Sequence, residues 1–312
     1  MIDIKHDQRL VLAYNPRSSR QRQVKGKVFD RLAAAGYSYQ TMEVKQASLA
    51  ENIALLAPQI EANDIVLCVA GDGSAHAVVN SVIASGKPGV SLGFLAFGNF
   101  NDLSHALDAR HLQQDPVALL NAAHLEKAYP LAVGADGQHL RYALLYATVG
   151  WTAKAAAHFD RSNVRDHSIN GKTGLVRSLI GLGIFYLKSR QSSLLPEFKI
   201  DDKLYHQTDI LVANSSKIAR LFATGHKFYL TDKFLLRTLD VRHLLPNIGF
   251  LFSGLFHRIK GQERDSLRVD FQQPSDIVVQ CDGEVVELDG VKTLTFGKLS
   301  QPLSILTTEK SK

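Results

Sequence analysis

Apolar and polar positions along this chain follow two regimes, one before and one after about residue 130. In the first, short apolar runs at 10–14, 37–44, 65–70 and 89–96 predict strands. Between and after them, stretches with apolar residues every three or four positions, at 20–35, 49–62, 74–84 and 101–107, predict helices. Such alternation predicts a mainly parallel sheet with helices on its faces. From residue 129 onward the pattern becomes strand-rich, with runs at 140–149, 197–200, 210–214, 267–271, 277–281 and 292–296 and an apolar helical segment at 175–187. That pattern predicts a β-rich, largely antiparallel domain. The expectation is an α/β domain over 1–129 and a β-rich domain over 130–301, with a cleft between them and the tail 302–312 packing back on the first.

The sharpest local feature is the run from Val66 to Ser74, an apolar strand that stops in Gly71-Asp72-Gly73 and enters a helical pattern. Gly71 and Gly73 can take positive φ and carry no Cβ, so their amides can approach an anion closely. Ser74 is expected to open the following helix, whose dipole adds positive potential. A carboxylate is unfavourable beside bare phosphate, so Asp72 is expected to meet a magnesium ion, a hydroxyl or an amide. An Asp-Gly hairpin turn is the plain alternative. Against it, Ala75, Ala77, Val78, Val79, Val82 and Ile83 continue with helical rather than strand period. In open parallel sheets ligands gather beyond the carboxyl ends of the strands. Asn15, Asp72 and the segment 98–102 all follow strands and should converge on one edge.

Charge adds a preference without choosing a partner. The formal net charge of +6 favours anionic partners, whether nucleotides, nucleic acid or acidic membrane surfaces. Lys154, Arg161, Arg165, Lys172, Arg177, Lys188 and Arg190 face only Asp160 and Asp166 in sequence, around the apolar segment 175–187. A second apolar run, 248–256, ends in His257, Arg258 and Lys260. Both are shorter than the ~20 apolar residues of a transmembrane helix, so they read as core helices with basic faces or as a membrane-facing surface. The two cysteines, Cys68 and Cys281, have neither metal-ligand spacing nor a disulfide framework, and the N-terminus lacks signal-peptide regions. A reducing, cytoplasmic setting is expected. The twelve histidines show no His-Glu-x-x-His spacing and no Gly-x-Ser-x-Gly elbow occurs, which argues against zinc and serine hydrolases. His76 reads as an exposed or capping helical histidine, with phosphate contact as the alternative. Trp151 reads as a core aromatic, with a lipid-lining role as the alternative.

Four segments together resemble the diacylglycerol kinase-type lipid kinases, relatives of the NAD kinases and sphingosine kinases. Tyr14-Asn15-Pro16-Arg17-Ser18-Ser19 is similar to the family's Asn-Pro-x-Ser-Gly opening, and Ala70-Gly71-Asp72-Gly73-Ser74 to its Gly-Gly-Asp-Gly-Thr phosphate loop. Gly98-Asn99-Phe100-Asn101-Asp102 resembles the end of its Gly-Thr-Gly-Asn-Asp signature, and Cys281-Asp282-Gly283-Glu284 its Asp-Gly-Glu motif. The resemblance implies the NAD kinase/diacylglycerol kinase-like two-domain fold and transfer of the ATP γ-phosphoryl group to a lipid hydroxyl, such as that of diacylglycerol or phosphatidylglycerol. It implies ATP and Mg2+ as cofactors. Asn15, Gly71, Asp72, Gly73, Ser74 and Gly98 would then hold the nucleotide, with Asn101 and Asp102 organising the phosphate and magnesium region. Asp282 and Glu284 are the implied general-base candidates.

The same resemblance implies a lipid substrate and no nucleic acid, and the basic residues between Lys154 and Arg190 lead to the expectation of peripheral contact with an anionic membrane at its inner surface. Departures from the family pattern accompany it. Ala70 replaces a glycine, and Asn99 and Phe100 stand where Thr and a small residue are usual. The turn that helps hold a structural magnesium survives only as Asp232, with Lys233 and Leu236 at the neighbouring Gly and Asp positions. Lys217, Arg220 or Lys233 are the candidates to supply positive charge in its stead. An NAD kinase and a non-catalytic nucleotide- or lipid-binding homologue are the alternative readings.

Overall fold

The computed structural model describes residues 8–18, 20–98, 103, 106, 114–161, 184–185, 188–189, 195–218, 222–243 and 259–308. The chain divides into two compact units: Met1–Pro130 with Tyr229–Thr231 and Leu299–Lys312, and Leu131–Phe228 with Asp232–Lys298.

The first unit is built on strands β1 (Leu10–Tyr14), β2 (Gln40–Glu43), β3 (Ile65–Ala70), β4 (Ser91–Ala96) and β5 (Ala123–Ala128), joined by the C-terminal strand β18 (Leu303–Thr308). The sheet order is β2-β1-β3-β4-β18-β5, parallel throughout except where β18 meets β5. Every residue of β3 and β4 is buried, as expected of parallel strands covered on both faces. The predicted helix 20–35 is a continuous helical segment: α1 (Gln21–Val24), a wider π turn over Lys25–Phe29, and α2 (Asp30–Ala34). Val24, Val28 and Leu32 recur every four residues and pack with Leu12, Leu67 and Val69 of the sheet.

The predicted helix 49–62 is shorter in the structure. α3 spans Leu49–Leu56, opened by a reciprocal capping box between Ser48 and Glu51, and tightens into a single 3₁₀ turn at Ala57–Gln59 around Pro58. α4 (Asp72–Ser85) follows β3, and α5 (Pro116–Ala122) precedes β5. Of the predicted helix 101–107, Leu103 and Ala106 are helical and the remainder lies outside the described residues.

The second unit carries β6 (Leu131–Ala135), β7 (Gln138–Ala143), β8 (Tyr146–Gly150), α6 (Trp151–Arg161), β9 (Phe198–Ile200), β10 (Lys203–Tyr205), β11 (Asp209–Ala213), β12 (Lys217–Ile218), β13 (Phe222–Ala223), β14 (Phe234–Leu239), β15 (Gln262–Arg264), β16 (Leu267–Cys281) and β17 (Glu284–Lys298). Its main sheet runs β15-β14-β11-β8-β16-β17-β6-β7, antiparallel at every described pairing. The long β16–β17 hairpin forms its spine, and its inward positions Val269, Ile277, Val279, Leu294 and Phe296 share one core with Val149 and Val212. The predicted strand 140–149 is two strands, β7 and β8, separated by a bend at Leu144 and Leu145. Of the basic stretch 154–190, the described parts are helical, and Trp151 donates from Nε1 to Ser189 Oγ at 2.7 Å. The apolar run 248–256 lies outside the described residues. No helix among the described residues is long and apolar enough to cross a membrane.

Candidate functional site

In the first unit, the carboxyl ends of β1, β3 and β4 lie side by side, with Tyr14 beside Val69 and Ala70 beside Ala96. The segments that leave them therefore start from one edge of the sheet. Asn15 closes its own turn: its Oδ1 accepts from the Arg17 N–H at 2.8 Å and its carbonyl from the Ser18 N–H at 3.1 Å.

Gly71 leaves β3 with φ −88° and ψ 178°, a conformation open to any residue, and neither Gly71 nor Gly73 has positive φ. Space is what demands glycine here. A Cβ at position 71 would stand 3.0 Å from Gly98 Cα, so the backbones of the two glycine loops pack against each other. α4 starts at Asp72, two residues before the expected Ser74, which places Asp72, Gly73 and Ser74 in its first turn. First-turn amides of a helix have no acceptor within it and point along the positive end of its dipole. Gly71, Asp72, Gly73, Ser74 and Gly98 are all half-buried.

Of the three partners expected for Asp72, the structure shows an amide. Its Oδ1 accepts from the Leu103 N–H at 3.2 Å, which ties the loop after β3 to the segment after β4. Asn101 and Asp102, with Asn99 and Phe100, lie outside the described residues. His76 departs from its expected exposure: it is 2% exposed, in a stretch of α4 that is buried all round from Ala75 to Val82.

In the second unit, Asp282 and Gly283 form the two-residue turn of the β16–β17 hairpin, with φ 52° and 95° and Cys281 paired to Glu284. Positive φ at both central residues is the geometry that Asp-Gly favours in a tight hairpin. The Asp282 side chain is turned inward. Its carboxylate accepts from the N–H groups of Leu144 at 2.6 Å, Leu145 at 2.8 Å and Tyr146 at 3.0 Å, and the residue is 5% exposed. Asp282 thus fastens the bend between β7 and β8 to the hairpin. Glu284, two residues on, is half-buried at the start of β17.

Asp232, the expected remnant of a metal turn, is exposed just before β14. The cation beside it is one the sequence reading missed. Lys298, the last residue of β17, donates from Nζ to Asn214 Oδ1 and to the Phe228 carbonyl, the latter at 3.0 Å. Burial pulls its ammonium down to about 7, and the charge of Asp232 opposes that fall. Alternation along β17 was the available signal: Leu294 and Phe296 are core residues, and Lys298 follows at the same parity. Lys217 and Lys233, two of the expected cations, stand in the same unit, and Arg220 lies outside the described residues.

With this geometry in place, comparison with known proteins gives a consistent result. Residues 9–135 match the diacylglycerol kinase catalytic domain. Among solved structures, a putative diacylglycerol kinase from Bacillus anthracis str. Sterne superposes with a TM-score of 0.68 at 16% identity, covering 98% of this chain and 99% of that one. A diacylglycerol kinase structure from the same organism gives a TM-score of 0.64 at 13% identity, covering 97% of this chain and 98% of that one. A further putative diacylglycerol kinase from it gives 0.67 at 15% identity, with 97% and 98% covered. No curated protein matches the chain. At these identities the structural likeness shows the fold: an α/β unit on a mixed, mainly parallel sheet and a β-rich antiparallel unit, as the sequence pattern predicts. The segment 71–74 and Gly98 fall inside the matched residues, and Asp282 and Glu284 fall outside them.

Proposed function

We propose that the protein is an ATP-dependent lipid kinase that transfers the γ-phosphoryl group to a lipid hydroxyl, such as that of diacylglycerol or phosphatidylglycerol. The observation that carries this reading is the packing of Gly71 on Gly98 at the head of α4, within a segment that matches the kinase domain. The first-turn amides of α4 and the Gly98 loop suit the β- and γ-phosphates of a nucleotide, which catalysis of this class must hold and neutralise. A magnesium–ATP complex, when bound, supplies an electrophilic phosphorus whose oxygen charge is partly neutralised. Asp72, held by the Leu103 amide at the head of α4, is in this reading a carboxylate of the magnesium region. In this reading Asp102 and Asn101 complete the magnesium and phosphate region.

Proton transfer from the lipid hydroxyl needs a carboxylate with room to accept it. Of the two sequence candidates we assign the base role to Glu284, because the oxygens of Asp282 already receive three amide bonds. Asp282 then positions the turn that carries Glu284. The reading places the lipid substrate at an anionic membrane surface, from a cytoplasmic protein that docks peripherally.

The test is transfer of labelled γ-phosphate from ATP with magnesium into mixed micelles of defined lipid, with NAD as a parallel acceptor. The expected result is a labelled lipid that is lost in Asp72→Ala and Glu284→Gln. Label in NADP would identify an NAD kinase instead. Nucleotide binding without any labelled product would favour the non-catalytic homologue, the reading toward which the amide-filled Asp282 carboxylate leans.

A further inference from the structure

In the second unit a chain of hydrogen bonds runs from Lys298 to Asp282. Lys298 Nζ holds Asn214 Oδ1 and the Phe228 carbonyl. Asn214 is fully buried at the end of β11; its Nδ2 donates to the Leu144 carbonyl at 2.8 Å and its backbone N–H to the Leu145 carbonyl at 2.7 Å. The amides of those same two residues bind the Asp282 carboxylate. One amine thus closes a network that joins the ends of β11 and β17, the Phe228 turn, the β7–β8 bend and the β16–β17 hairpin.

The family resemblance implies a structural magnesium at this corner, reached through Asp232. The residues here do not fit it. Magnesium requires near-octahedral oxygens at about 2.0–2.1 Å. Two inward oxygens of this corner, Asn214 Oδ1 and the Phe228 carbonyl, are already acceptors for an amine, and Lys233 and Leu236 stand where oxygen-bearing or small residues would be needed. Among the described residues no group of three or more His, Cys, Asp and Glu side chains could hold a metal. A lysine amine supplies what such an ion would: positive charge facing Asp232, and several directed bonds to oxygens from separate segments.

We propose that the Lys298 amine replaces a structural divalent ion, acting as a built-in cation that fastens Asn214 and Phe228 and, through Asn214, positions the segment that holds Asp282. This inference is independent of phosphoryl transfer, and its test requires no turnover. The full chain, dialysed against EDTA at about pH 6, is melted with and without magnesium or calcium and without nucleotide, and its bound metal is measured. The expected result is no retained divalent ion and one melting temperature under all three conditions. Lys298→Met keeps the aliphatic stem and removes the donors; it is expected to lower the melting temperature by about 5 °C. Lys292→Met, at an exposed position of the same strand, is expected to leave it unchanged. In Lys298→Ala, ethylammonium is expected to restore part of the loss and magnesium none of it.

A stoichiometric divalent ion retained by the native chain, a fall in its melting temperature in EDTA, or a Lys298→Met variant as stable as the native chain overturns the proposal. Should both Lys298 variants fail to fold, the metal content and EDTA response of the native chain still decide it.

Discussion

Replacing Asp282 by Asn separates a carboxylate that does chemistry from one that holds the backbone. In the native chain Oδ1 receives the amides of Leu145 and Tyr146, and Oδ2 receives that of Leu144 at 2.6 Å. The carboxamide keeps one acceptor oxygen, which can serve the first two, and turns an N–H₂ group toward the third. The change removes one charge-assisted hydrogen bond, worth about 1.5–3 kcal/mol, and leaves a buried donor facing another donor, at a cost of about 1–3 kcal/mol. Allowing for partial relaxation of the turn, the expected loss is about 3 kcal/mol. In a unit of this size that is a fall of roughly 6–12 °C in melting temperature. Glu284→Gln removes a charge from a half-buried strand position with none of those contacts, and is expected to stay within about 1 °C of the native chain.

The assay is chemical and thermal unfolding of both variants, followed by label transfer under conditions where both are folded. Loss of turnover alone does not discriminate, because a displaced hairpin and a missing base both abolish it. The stability readout does. An Asp282→Asn variant that melts with the native chain would refute the backbone-clamp role and return Asp282 to the position of base. The opposite pattern, a destabilised Asp282→Asn and a stable, inactive Glu284→Gln, is the one the proposed roles predict.

Three further outcomes follow from separate parts of the molecule. Gly71→Ala keeps an allowed φ but drives a Cβ to 3.0 Å from Gly98 Cα, so nucleotide affinity measured by calorimetry should fall about tenfold while the melting temperature changes by only a few degrees. Arg9 makes a paired contact to Asp64, at 2.8 and 2.5 Å; Arg9→Ala should cost about 2 kcal/mol in urea unfolding, less than for a fully buried pair because the Arg9 side chain is 24% exposed. The Asp209 carboxyl is driven up to about 7 by burial, against the bonds it accepts from Thr152. Its native form therefore keeps a proton that the unfolded chain has released, and its contribution to stability is present below about pH 4 and lost as pH rises to about 7. Between about pH 5 and 8 the native chain should lose on the order of 3 kcal/mol relative to Asp209→Asn; parallel stability curves for the two would remove Asp209 as the cause.

Local pattern made much of the fold legible. β3 and β4 are continuous apolar runs because both faces are covered, and such runs stand out in any sequence. The strands that the local pattern does not mark as strands depend on distant partners. β18 enters the first sheet between β4 and β5, from the far end of the chain, and β5 exposes Leu125 at 46%, which blurs its apolar period. The split of the predicted strand 140–149 has the same origin. Leu144 and Leu145 are apolar and buried like their neighbours, yet their amides leave the ladder to bind a carboxylate more than 130 residues away. No periodicity within the segment encodes that diversion.

The candidate site shows why motif and role separate. A motif states which residue types stand together, and Asp282-Gly283 is a favourable pair for a tight turn wherever the turn points. Whether its carboxylate faces solvent or backbone is decided by the register of β16 on β8, where Cys281 lies beside Ala147 and carries Asp282 over the β7–β8 bend. Gly71, at the head of α4, follows the same logic. Its identity suggested a left-handed turn, but its φ of −88° requires none, and glycine is demanded by the approach of Gly98 from the neighbouring strand. In both places the sequence names the residue, and the sheet pairing supplies the reason. Lys298 completes the argument from the other side: it belongs to no motif, and strand parity alone turns it from an ordinary surface lysine into the cation of a network reaching Asp282.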